Sequence, residues 1–111
     1  MIESSYIMSR IEEISCVCVS EAAQERGMDY VKVEDVYVGK HGIPYPRAVA
    51  RNFIVHILHN IYGFSYTVIA QRANMRVRSI IRCAKKFRIG MEYDSLYPIV
   101  DSRIKEVING V

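Results

Sequence analysis

Residues 76–88 read RVRSIIRCAKKFR: six of the thirteen are Arg or Lys (Arg76, Arg78, Arg82, Lys85, Lys86, Arg88) and none is acidic. The chemistry open to such a run is recognition of an anion. A guanidinium presents a planar fork of N–H donors that matches two phosphate oxygens, or the O6 and N7 edge of guanine. If the segment is helical, at about 100° per residue, the charges share one side. With Arg78 at zero, Lys85 falls at about −20°, Arg82 at about 40°, Lys86 at about 80° and Ser79 at about 100°. Ile80, Cys83, Ala84 and Phe87 fall between about 140° and 240°, and Ile81, at about 300°, sits on a flank. A solvated helix face is the plainer explanation. Such faces mix signs, however, because opposite charges at i, i+4 stabilise a helix by about 0.2–0.5 kcal/mol and like charges cost as much. Arg78–Arg82 and Arg82–Lys86 are both like-charged i, i+4 pairs. The segment is therefore expected to lie against an anionic partner.

The other reactive residue types form no comparable constellation. His56 and His59 could share a helix face, but zinc needs three or four ligands and no nearby Cys, Asp or Glu completes a set. No metal or cofactor is expected. Cys16 and Cys18 lie about 200° apart on a helix and cannot grip one ion. With Cys83, on the apolar arc, they make an odd number without disulfide-framework spacing and read as reduced core thiols. Glu12 and Glu13 are adjacent, point in different directions and read as a solvated face. Tyr62 and Tyr66 flank a turn and could stack on bases, although tyrosine is more often a half-buried packing residue. No nucleophile–base pair is recognisable, so no enzyme is expected.

These residues belong to a 111-residue, 12.8 kDa chain with room for one domain, residues 1–111, and one modest core. Half the residues are hydrophobic and 24% are charged, as in soluble globular proteins. No apolar run approaches the roughly 18 residues of a membrane span. The N-terminal MIESSYIMSRIEEI is acidic and polar, unlike a secretory signal, so a cytoplasmic protein is expected. The net charge of +3 hides an asymmetry. Residues 1–40 hold eight acids and four bases, whereas residues 41–111 hold eleven bases and four acids. A positive field confined to one part suits an anionic partner bound there. The acidic part, repelled by the same anion, is the expected face for a protein partner or self-association.

The elements that must position the cations are helical throughout. Residues 5–26 carry a helix pattern (Ile7, Ile11, Ile14, Cys18, Ala22), with Ser4 or Ser5 as cap and Gly27 as stop. VEDVYV (33–38) reads as one or two helical turns, although VYV alone would suit a strand. GKHGIPYP (39–46) is a loop stiffened by Pro44 and Pro46. Val49, Phe53, Ile57 and Ile61 predict a buried helix over about 46–61, ended at Gly63. Ser65 caps a short helix, 65–73, and Asn74 can take the left-handed turn that follows. A longer helix over 77–89, ended by Gly90, and a last one over 95–109, with Pro98 in its first turn, complete an all-α chain of five to six helices. The short helix, tight turn and longer helix across 65–89 fit a helix-turn-helix.

The stretch from Val49 to Ala84, VARNFIVHILHNIYGFSYTVIAQRANMRVRSIIRCA, resembles the C-terminal DNA-binding domain of the bacterial replication initiator DnaA. That family carries an Arg-Gln-rich helix, a Thr-Gly-Leu-Ser-Leu-like turn, Ile-Gly, and a recognition helix opening Arg-Asp-His-Thr-Thr-Val. Residues 50–52 (AlaArgAsn), 62–66 (TyrGlyPheSerTyr), 69–70 (IleAla) and 76–81 (ArgValArgSerIleIle) fall in register with it. The resemblance implies an all-α, Trp-repressor-like helix-turn-helix that binds double-stranded DNA. It places Arg51 at the DNA backbone, Tyr66 and Thr67 at phosphate, and Arg76, Arg78 and Ser79 at base-reading or phosphate positions. Arg82, Lys85 and Lys86 continue that surface. The family's basic loop corresponds to residues 41–46, where only Lys40, His41 and Arg47 could serve.

The chain departs from the family where the family reads bases. Val77, Arg78, Ser79 and Ile80 replace Asp-His-Thr-Thr, so a target other than the family's own DNA box is expected. No Gly-rich phosphate loop of the Lys-Ser/Thr kind is present, so no ATPase module is expected beside it. The chain reads as a stand-alone relative of the kind a phage or mobile element carries, serving replication or transcription. The competing expectation is a protein–protein adaptor in which the same surface no longer holds DNA specifically.

Overall fold

Local signals set most of the helix ends. The computed structural model describes residues 2–110 as five α-helices, with no strand among them: α1 (Ile2–Glu25), α2 (Tyr45–His56), α3 (Tyr66–Ala73), α4 (Val77–Tyr93) and α5 (Leu96–Ile108). VEDVYV forms a single 3-10 turn, Val33–Asp35. α1 begins at Ile2, ahead of the serines expected to cap it, and closes at Gly27, whose φ is +76°. There the Met28 N–H reaches back to the Ala23 carbonyl at 2.9 Å, a left-handed closure that glycine adopts without strain. Pro46 lies in the first turn of α2, where its missing N–H is not needed. The last turn of the segment predicted as one helix is wound more widely, as a π turn over Ile57–Ile61. Just before this winding His56 stacks on Phe87 of α4, and within it His59 stacks on Tyr66 of α3.

α2 is the axis of the molecule. Val49, Ala50, Phe53, Ile54 and Val55 are fully buried, and α1 and α4 pack on either side. One cluster joins residues of every helix, with Phe53, Ile11, Leu58, Ile69, Ile80 and Leu96 among its most enclosed members. Each such side chain contributes about 1.5–3 kcal/mol by leaving water. That outweighs the few tenths that each like-charged pair costs on α4.

Cys16 and Cys18 are both buried, although they point to different sides of α1. Their burial follows from α1 being covered by α2 on one side and α5 on another. All three cysteines are free thiols, and burial raises the pKa of each.

Two expectations about single residues are corrected. Gly90 does not end its helix; α4 runs on to Tyr93. A Cβ at Gly90 would lie 2.5 Å from the Tyr97 ring, so the glycine lets α5 approach α4. Tyr97 stacks on Phe53 at 5.4 Å and its hydroxyl accepts from Asn52 Nδ2 at 2.9 Å. Glu12 is not on a solvated face. It is 5% exposed, and its carboxylate takes Arg72 Nη2 at 2.8 Å, Arg72 Nε at 3.0 Å and the Tyr37 hydroxyl at 2.6 Å. Glu13, its neighbour, is exposed as expected.

Candidate nucleic-acid interface

Two short-range devices set the angle between α3 and α4. The Ser65 hydroxyl accepts the Val68 N–H at 3.1 Å, which fixes the start of α3. Asn74 adopts φ 54° and ψ 46°, and the Met75 N–H reaches the Ala70 carbonyl at 3.0 Å, which fixes its end. Two residues later α4 starts. Its inner face buries Ile80, Cys83, Ala84 and Phe87, with Phe87 edge-on to Phe53 at 4.9 Å. The opposite face exposes Arg78, Arg82, Lys85 and Lys86, as the helical wheel predicts, with Arg88 exposed on a flank, Arg76 exposed at the head and Ser79 half-buried.

The charge on α4 runs against what a helix favours. Arg76 stands at its N-cap without a capping side chain, and no acid lies in the first turn. Cations there face the positive end of the helix dipole, which costs a few tenths of a kcal/mol each. The same arrangement leaves uncapped N–H groups beside guanidinium groups, which is favourable for an anion. Among the described residues, none of the six cations from Arg76 to Arg88 is paired with a carboxylate. Arg72, which extends the acid-free basic run back to residue 72, is the exception, being held by Glu12.

Facing α4 across an open groove of about 1340 Å³ is the loop 39–45. Lys40 and His41 line the loop side, while Arg76, Arg78, Ser79, Arg82 and Lys86 line the helix side. Arg51, Asn52 and Cys83, all buried, form the floor. No carboxylate is among the lining residues. Burial pushes the Cys83 thiol up although Arg51, Lys86 and Arg82 pull it down, so it stays protonated near neutrality. Lys85 and Arg88 are exposed and lie outside this lining.

No family model, curated protein or solved structure matches this chain. The chemistry of the groove rests on its own residues. The groove brings together eight of the residues singled out in the sequence: Lys40, His41, Arg76, Arg78, Ser79, Arg82 and Lys86 on its walls and Arg51 in its floor. Arg51 does not serve as expected, and the others lie outside the groove. Arg51 is 4% exposed and spends its guanidinium on the loop, donating to the carbonyls of Val36 at 3.0 Å, Val38 at 2.9 Å and Gly39 at 3.3 Å. It holds the groove wall in place and is not a surface contact. Arg47 is half-buried and donates to the Val38 carbonyl at 3.1 Å, a supporting role in the same loop. Tyr66 is half-buried with its ring 3.9 Å from that of His59, and Thr67 is exposed beside it; neither lines the groove. Tyr45, which sequence reasoning passed over, lines the groove and ties the loop to the α4–α5 junction through its hydroxyl bond to Asp94.

The remaining candidates form no second site. His56 and His59 stack on different rings, and among the described residues no three His, Cys, Asp or Glu side chains gather around a common point. No helix among them is long and apolar enough to cross a membrane.

Proposed function

We propose that this chain binds double-stranded DNA without catalysing a reaction, with α3 and α4 acting as a helix-turn-helix and α4 entering the major groove. The observation that carries the reading is the acid-free groove between α4 and the loop 39–45, continued outward by Lys85 and Arg88. A helix of this width fits the major groove, and arginines on its outer face reach guanine O6 and N7. The phosphates of both flanking strands then meet cations on either side of α4. Exposed acids on α1 and in the segment after it (Glu3, Glu13, Glu21, Asp29) turn toward solvent, where a protein partner or a second copy can meet them. A regulatory or replication-linked role follows from binding without chemistry.

Fluorescence anisotropy on a duplex selected from a random pool, and on a scrambled one, tests the reading. The logarithm of affinity should fall with log salt by about 0.9 for each phosphate neutralised. Arg78→Ala should cost about 1–3 kcal/mol on the selected duplex and relax sequence choice, whereas Lys86→Ala should weaken both duplexes alike and lower the salt slope by about one. One short reading helix and a loop with only Lys40 and His41 free predict micromolar binding by the monomer, improved by a second copy. Salt-insensitive association with an acidic protein, and none with duplex, would move the reading to an adaptor.

A further inference from the structure

The exposed surface of α4 is not uniformly polar. Val77 and Ile81, one helical turn apart, are 38% and 37% exposed and do not belong to the core cluster. Ile81 lies three residues after Arg78 and four before Lys85, so two exposed cations border it on one helix face, while Arg82, the next residue, is about 100° further round. Neither residue lines the groove shared with the loop 39–45; they occupy the far side of Arg78. The third or so of each that stays exposed adds nothing to the folded state, and branched side chains contribute less to an isolated helix than Ala or Leu would.

We propose that Ile81, with Val77 beside it, recognises the 5-methyl group of thymine in the major groove. This inference rests on the duplex-DNA reading above and adds a base preference to it. The thymine methyl is the apolar group on the major-groove base edges, and apolar side chains are what contact it. Arg78 and Arg82 supply the matching fork for guanine acceptors. The face Arg78–Ile81–Lys85, with Arg82 on its loop side, therefore reads a guanine next to a thymine, with the methyl on the side away from the loop.

Uracil pairs as thymine does and lacks only the methyl, which makes a clean probe. In the duplex selected by the wild-type protein, each thymine is replaced in turn by uracil and affinity is measured by anisotropy. One or two positions should weaken binding about fourfold, as expected for one methyl returned to water. That loss should vanish in Ile81→Ala or in Val77→Ala, each of which removes exposed apolar surface and leaves the core intact. Uracil tolerated at every position by a protein that still binds the duplex overturns the inference alone. So does a selected site without thymine, or a methyl effect that persists in both variants. No preference for any duplex over random sequence overturns the DNA reading together with it.

Discussion

Arg72 and Arg82 stand ten residues apart in the same basic run, and the fold treats them in opposite ways. Arg72 turns inward to a buried carboxylate, with Nη2 at 2.8 Å from Glu12 Oε1 and a further bond to the Ser9 hydroxyl. Arg82 turns outward, exposed, with like charges one turn before and one turn after it. Arg51 repeats the contrast against Arg78: one is buried among three carbonyls, the other is free on the groove. A cation whose guanidinium is bonded inside the molecule holds the fold together. One held in place at a cost to its own helix is available to an outside anion. The charge of this segment is therefore two populations, and only the outward one bears on a partner.

The largest expected effect comes from breaking the inward pair. Arg72→Ala leaves the Glu12 carboxylate buried with only the Tyr37 hydroxyl to satisfy it. Burial and the nearby carboxylate push that hydroxyl up, so it remains a donor, but one neutral bond does not replace a bidentate ion pair. Arg72 is itself partly exposed, which moderates the loss, and about 3 kcal/mol is expected. Urea denaturation measures it; a change under 0.5 kcal/mol would erase the distinction between the two arginine populations. Arg51→Met comes next, at about 2 kcal/mol, because three carbonyls lose their donor while the apolar stem is kept. The loop 39–45 should then become the first site of limited proteolysis, and duplex affinity should fall through loss of the groove wall.

Legibility in the sequence followed distance along the chain. Ser65 and Asn74 act on residues three or four away, so the limits of α3 and the start of α4 could be read directly. The two-sided wheel of α4 held for the same reason. The far end of α4 was missed because Gly90 answers to Tyr97 on the next helix, not to its own backbone. Glu12 was misread because its partner is 60 residues away, and Arg51 because the carbonyls it serves belong to a loop that precedes its own helix. The groove was illegible as such: Lys40 and His41 meet Arg78 only once α2 has folded between α1 and α4.

A third contrast concerns a group that becomes a cation only on protonation. His56 is half-buried, its ring 3.8 Å from that of Phe87 and its Nδ1 bonded to Asn60 Nδ2 at 2.9 Å. Burial lowers its pKa from the ordinary value; Lys105 and His59 lower it further, and Asp101 raises it. A folded-state pKa below the unfolded one means that the unfolded chain takes up the proton first. Stability contributed by neutral His56 is therefore complete above about pH 6.5 and declines as pH falls below it. Thermal midpoints between pH 7.5 and 5 should show that decline, and His56→Phe, which keeps an aromatic ring against Phe87, should flatten it. An unchanged slope in that variant would assign the acid sensitivity to other groups.

The smallest effect on stability separates the two explanations of α4 most sharply. Arg82→Glu turns two repulsive i, i+4 pairs, with Arg78 and Lys86, into two attractive ones. Each reversal removes a cost and adds a gain of about 0.2–0.5 kcal/mol, so the variant should be more stable than the wild type by about 0.8–2 kcal/mol, toward the lower figure because Arg78 precedes the new carboxylate. If α4 were only a solvated face, that gain would come with no other consequence. If the repulsion is maintained for an anionic partner, the same change places a carboxylate in the middle of the reading face, against phosphate and guanine acceptors. Duplex affinity should then fall by far more than the stability rises, and a lower salt slope should accompany it. Stability and binding moving in opposite directions is the signature of a surface shaped for its ligand at the expense of its own helix. A stabilised variant that holds duplex as well as the wild type would place Arg82 among ordinary surface charges and leave Arg78 to account for the groove alone.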